Sequence, residues 1–495
     1  MPNRASSRSG TGRRLPRGNT AEGQNALLSR TTGGFNTANG FLSLRSDTTG
    51  SFNTAIGAGT LLANTGDSNT ASGAGALLSN ITGTDNTADG AFALFFNTAT
   101  GNTAIGSKAL LNNTTGGTLG NIQGLDFKPN VAVGWQALES NTVAGANTAV
   151  GYQALHSFTA GPVSFEHLGL CTAVGFQALA NTIHGFGNSA FGYHALFSNT
   201  DGAANVAIGP FALSANTTGD SNVAVGDNAL VLNTTGEANI AIGFAVLENN
   251  DTGIHNTAVG LNALDANISG SSNTALGEFA GGGVTTADNV ICIGANVFGA
   301  DVSDSCYIGN IFGQTSVNGV QVLINSDKKL GTVTSSKRFK EEIKPMNNTS
   351  ESLFALKPVT FRYKKDIDPA GTSQFGLVAE DVENVNPDLV VHDKEGKPYS
   401  VRYDQINAML LNEFLKEHKK VEEQQTTIAD LKSTASKQDA TIAQQQKDFH
   451  AAIARQENEI RELTASLKEQ AAQIQKVSAQ IEMSKAPPKL VLNNP

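Results

Sequence analysis

The sequence predicts a mainly β protein: a repetitive parallel β-roll or solenoid forming a trimeric rod, then a small α+β domain and a long C-terminal trimeric coiled coil. Three observations predict it. A 17-residue unit recurs across residues 19–315. That unit carries apolar runs of three to five residues and no helical period. The chain then ends in a stretch rich in Glu, Lys, Gln and Ala, with apolar residues seven apart.

Residues 1–18 hold Arg4, Arg8, Arg13, Arg14 and Arg17 with no acid, and are expected to be a disordered basic start. They lack the apolar core of a secretion signal. No run of 18 apolar residues exists to cross a membrane as a helix. The net charge of −10 argues against nucleic acid as a partner. It is unevenly spread: Asn19–Val320 carries four Lys or Arg against 19 Asp or Glu.

The rod occupies 19–315. Its unit reads N-T-A-(V/I)-G-x-x-A-L-x-x-N-T-T-G-x-x, as in "NTAIG" at Asn53–Gly57 and again at Asn102–Gly106. The last glycine of that pentad recurs seventeen times from Gly23 to Gly309, mostly every 17 residues. Longer steps mark insertions near Gly117–Phe127 and Ala160–Gly169. Asn, Thr and Gly separate the apolar segments as turn formers, so each rung is read as two short strands and two turns. Ala-Leu pairs such as Ala109-Leu110 and Ala137-Leu138 are expected to stack inside. So is the asparagine seven past each glycine (Asn64, Asn80, Asn97, Asn113, Asn141, Asn199, Asn216, Asn233), in a rung-to-rung ladder. At ~4.8 Å per rung the rod is roughly 80 Å long.

Chemistry is not evident in the rod. Cys171, Cys292 and Cys306 form no disulfide framework or zinc spacing and read as small apolar fillers. The eight His are scattered, no G-x-S-x-G occurs, and Gly299–Ser305 lacks the closing Glu of a calcium loop. No cofactor and no metal are expected. The unit resembles the head repeats of trimeric autotransporter adhesins over about Asn19–Gly309. That resemblance implies left-handed parallel β-rolls packed as trimers.

Residues 316–334 connect the rod to a small domain, 335–418. "LFALKPVTFRYK" (Leu353–Lys364) alternates like a strand from Pro358. "QFGLVAEDVENVNPDLV" (Gln374–Val390) reads as a strand and a short helix ended near Pro387, and "YSVRYDQINAMLLNEFLKEH" (Tyr399–His418) as a strand running into the long helix. Between connector and domain, "TSSKRFKEEIKPM" (Thr334–Met346) crowds hydroxyls and amines together. Ser335 or Ser336 capping a helix beside a solvated Lys340 is one reading of these residues alone; a nucleophile with its base is another.

Three motifs, "SSKRFKEEI", "LKPVTFRYK" and "FGLVAEDV", resemble those of the intramolecular chaperone domain that ends phage endosialidases and many tail fibres. The likeness covers about Thr334–Glu423, with Ser336 where that family usually has Asp. It implies trimerisation of the preceding fibre, then self-cleavage of Thr334–Ser335 by a Ser335/Lys340 dyad. A serine needs a base to take its proton. Lysine serves only if burial or neighbouring positive charge lowers its pKa, and Lys337, Arg338 and Lys344 are near. A spacing of five puts the two on one face of no regular element, so they must meet across a turn or between chains.

The coiled coil spans 419–485, and 486–495 is expected to be a disordered tail. Phe414, Val421, Ile428, Ala435, Ile442 and Phe449 are seven apart; Ile453, Ile460, Leu467, Ile474 and Ile481 follow, offset by four. β-branched residues at such seams favour trimers. The expectation is thus a homotrimeric fibre, tail-fibre-like, that acts on no external substrate. It would lie at a cell surface, outside the cell or on a virion, with a host-surface or glycan receptor as a candidate partner. A surface adhesin with an uncut clamp is the alternative. A polysaccharide-degrading spike would need paired carboxylates beside aromatic platforms, and Trp135 is the chain's sole Trp.

Overall fold

A computed structural model describes residues 18–115, 129–159 and 169–484. The two insertions, most of the basic start and the final tail lie outside the described residues. The chain divides into two compact units that part after Thr315.

The first unit is a parallel β-solenoid. Seventeen three-residue strands, β1 (Thr20–Glu22) to β17 (Cys306–Ile308), pair each with the next in one sheet, one strand per rung. The register is strict: Ala190 faces Ala207, which faces Ala224. Each of these alanines is buried, with the residues on either side pointing outward. After the strand comes a glycine in the left-handed region. At Gly226 (φ +138°) an added Cβ would sit 2.1 Å from the Gly243 carbonyl oxygen. Only glycine tolerates both that conformation and the approach of the next rung.

The second apolar segment departs from the expected two strands per rung. The Ala-Leu pair lies in consecutive turns: the Ala76 N–H donates to the Gly73 carbonyl (3.2 Å) and the Asn80 N–H to the Leu77 carbonyl (3.2 Å). Leu77 has φ +53°, and the matching leucines of other rungs share this conformation. A left-handed residue costs roughly 1–2 kcal/mol, while full burial of a leucine is worth about 1.5–3 kcal/mol. Burial prevails, since these leucines are fully enclosed in one continuous apolar column.

The predicted asparagine ladder is present. Asn80 donates to Asn64 Oδ1 (2.8 Å), Asn113 to Asn97 (2.7 Å) and Asn233 to Asn216 (2.9 Å). It continues through Asn250 and Asn267. A second buried column, from the asparagine that opens the pentad, runs beside it. There Asn205 Oδ1 accepts the Asn222 backbone N–H (2.9 Å), and its amide donates to the Gly219 carbonyl (2.9 Å). Cys171 stands in this second column as a buried filler, its thiol pushed up to about 12 by burial. Cys292 is also buried, but Cys306 is not the filler expected, because its place in the strand faces outward.

At one end of the first column, Arg30 and Asp47 replace asparagine. Both are buried, 3.8 Å apart. Burial pushes the Asp47 carboxyl up to about 6, although the Gly50 N–H and Arg30 oppose the rise. At the other end Asp301 closes the rod. It accepts from the backbone N–H groups of Thr285, Thr286 and Ala287 and from the Thr285 hydroxyl, at 2.6–2.9 Å. The hydroxyl and backbone bonds of Thr285 hold its carboxyl well below the usual range. A depressed carboxylate stabilises fully above its unfolded pKa of about 3.9 and loses that contribution as pH falls through the native value. Asp301→Asn is expected to speed amide exchange at Thr285–Ala287 about tenfold at pH 7, one net hydrogen bond's worth. The gap from wild type should narrow on acidification below about pH 4.

The second unit starts with a hairpin, β18 (Val322–Ile324) against β19 (Leu330–Thr332). Two further hairpins follow: β20 (Val359–Phe361) with β21 (Gln374–Gly376), and β22 (Val390–His392) with β23 (Pro398–Val401). Helix α1 (Ala379–Val385) lies between the last two hairpins in sequence, and helix α2 runs from Tyr403 to Met483. The core is small: Val382, Leu389, Val390, Val401 and Met409 are buried, with Leu353, Leu377 and Ile406 packed on them. Along α2 the predicted seam residues Val421, Ile428, Ile442, Ile460 and Ile474 are exposed. The long helix with its apolar heptads fits a coiled coil. No helix among the described residues is long and apolar enough to cross a membrane.

Candidate functional site

Thr334 and Ser335 follow β19 outside any helix or strand, ahead of a 3-10 turn at Lys337–Phe339. Ser336 precedes that turn in extended conformation (φ −64°, ψ 137°) without capping it through its side chain. The turn closes by N–H donation from Phe339 to Ser336 and from Lys340 to Lys337. Ser335 and Lys340 therefore flank one turn. With Lys337, Glu342 and Ile343 they line a single shallow, open depression.

Among the described residues no hydrogen bond joins the Ser335 hydroxyl to the Lys340 amine. Both side chains are exposed, as is every residue from Val317 to Pro345. The lone chain thus brings the two residues to one place without desolvating the amine. Phe339 and Ile343 are 59% and 60% exposed, with the Arg338 guanidinium 4.7 Å from the Phe339 ring centre. Such apolar side chains beside the turn are surface that a partner would cover.

Behind the turn, one network that sequence reasoning missed fixes the domain to its helix. The Ser350 hydroxyl donates to the Glu413 carboxylate, Asn412 donates to the Asn347 carbonyl (2.9 Å), and Lys416 bonds Glu413 (2.8 Å) and Glu351 (3.3 Å). Lys416 and Ser350 hold the Glu413 carboxyl below its usual range. Lys416 and Glu413 are an i, i+3 pair on α2, but the other partners are more than 60 residues apart, so no local pattern announces the tie between domain and helix. The Tyr403 hydroxyl accepts the Leu377 N–H (3.0 Å), tying the start of α2 to the strand motif "FGLVAEDV".

The chain is thus a parallel solenoid followed by three small hairpins and one very long helix. Residues 335–391 match the family model described as chaperone of endosialidase. That segment is similar to this family, and here it follows a repeat solenoid. No curated protein matches the chain.

Proposed function

We propose that the chain is a homotrimeric fibre or surface-rod protein whose C-terminal domain assembles it and then severs the Thr334–Ser335 bond. The observation that carries the reading is that the family match opens on Ser335 itself. The exposed heptad face of α2 supports self-association, since isolated apolar seams need partners.

In this reading Lys340, made neutral by burial when three chains close, takes the Ser335 proton. The Ser335 oxygen attacks the Thr334 carbonyl carbon and the C–N bond breaks, leaving an ester and a free Ser335 amine that receives the proton. Water then cleaves the ester, giving a Thr334 carboxylate and restoring the hydroxyl. Each chain cuts once. Parallel pairing across many rungs folds slowly, so a removable clamp sets the register. After its loss the rod cannot refold readily and persists kinetically.

A second reading, an adhesin with an uncut clamp, draws support from Ser336 in the usual Asp position. Purified wild-type chain tests both. Native light scattering is expected to give three chains per particle, and a denaturing gel two fragments instead of one 51.4 kDa band. A trimer of intact chains favours the clamp. A lone chain defeats both readings.

A further inference from the structure

The outward side of the rod's sheet changes character along its length. Each strand turns its first and third residues out. In β1–β5, where β5 is Thr87–Asp89, the third residue is Glu22, Asn39, Ile56, Ser72 and Asp89 in turn. From β6 (Thr103–Ile105) to β17 it is apolar in every rung, and neither outward position of these twelve strands carries a charge. The column stands open: Ile105 is 42% exposed, Ile242 41% and Ile293 37%. Past the intervening glycine, four stacked rings widen the apolar strip. Trp135, Tyr152, Phe176 and Tyr193 lie 4.8, 5.0 and 5.3 Å apart.

A strip of twelve rungs at ~4.8 Å each is about 58 Å long, and open apolar surface of that extent marks an interaction face. Its occupant must share the rung period to pack along all of it. It must also approach a rod in which acids outnumber bases by 19 to four without bringing like charges together. A second copy of this chain meets both conditions, provided that contact runs along the uncharged face.

We infer that three copies meet along the third-residue column of β6–β17, with the aromatic stack at its flank, while the first five rungs of each copy stand clear of the seam. The inference rests on the trimer proposed above. A column lying on a threefold axis meets its own copies, residue against like residue. Asp89 and Glu22 there would bring three carboxylates together.

The test uses the full chain carrying Ile242→Cys, or Asp89→Cys, under mild oxidation on a non-reducing denaturing gel. Wild type, with its three native cysteines, sets the baseline. Ile242→Cys is expected to shift most chains into covalent multimers, and Asp89→Cys to show no more than wild type. Val150→Cys repeats the seam test should Ile242→Cys fail to assemble. Particles that scatter as trimers, yet cross-link at neither 242 nor 150, overturn the seam and leave the trimer standing. Equal cross-linking at 89 overturns the boundary after the fifth rung. Particles that scatter as single chains overturn the trimer and the seam together.

Discussion

Ser335→Ala is expected to yield one band at the full 51.4 kDa where wild type is expected to yield two, with the proposed trimer intact by light scattering. Alanine removes the hydroxyl proposed to attack the Thr334 carbonyl and leaves the backbone between β19 and the 3-10 turn unaltered. The site is exposed in the single chain, so little stability is at stake. Lys340→Ala is expected to slow cleavage about 10²–10⁴-fold, the usual worth of a positioned base. Lys340→Arg should not rescue it, because a guanidinium keeps its proton. A Ser335→Ala chain that still falls into two pieces ends the proposed mechanism.

Asn205→Ala should destabilise the rod by about 2 kcal/mol, a cost read from the shift of its urea midpoint. One buried partner is stranded: the Asn222 N–H loses its acceptor, whereas the Gly219 carbonyl keeps the Asn216 amide at 3.0 Å. Such a loss costs roughly 1–3 kcal/mol, comparable to truncating a buried leucine at about 2–5 kcal/mol. Because rungs touch only their neighbours, the damage stays local and exchange should accelerate around Asn188–Gly219 first. A midpoint change worth less than about 1 kcal/mol would show that water or backbone shifts replace the lost bonds.

Repetition made the rod readable. Gly226 recurs at the same phase as Gly209 and Gly243, and the buried alanine two residues before it is fixed by that phase. The Asn64–Asn80–Asn97 ladder followed from the same spacing. The conformation of Leu77 did not, because leucine disfavours positive φ and only the enclosed core of the assembled coil compels it. The second asparagine column was visible as a constant letter, but a turn-forming asparagine and a buried one look alike in sequence. Arg30 and Asp47 sit in phase with the ladder and escaped notice because they break its identity, though not its position.

Of the candidate site, Ser335 and Lys340 stood out through the family likeness, not through their spacing. The turn at Lys337–Phe339 that gathers them has no proline or glycine to mark it. The Ser350–Glu413 tie joins positions 63 apart and had no signal at all.

The strict one-strand coil has an evolutionary corollary. Adding or deleting one whole 17-residue module returns every glycine, alanine and asparagine to its own phase, so the neighbours on either side meet what they met before. Length can therefore drift in steps of one module without new packing being invented, and the molecule becomes a gauge whose reach is set by copy number. The two ends escape this freedom, since Arg30 with Asp47 and Asp301 with its three backbone donors each occur once.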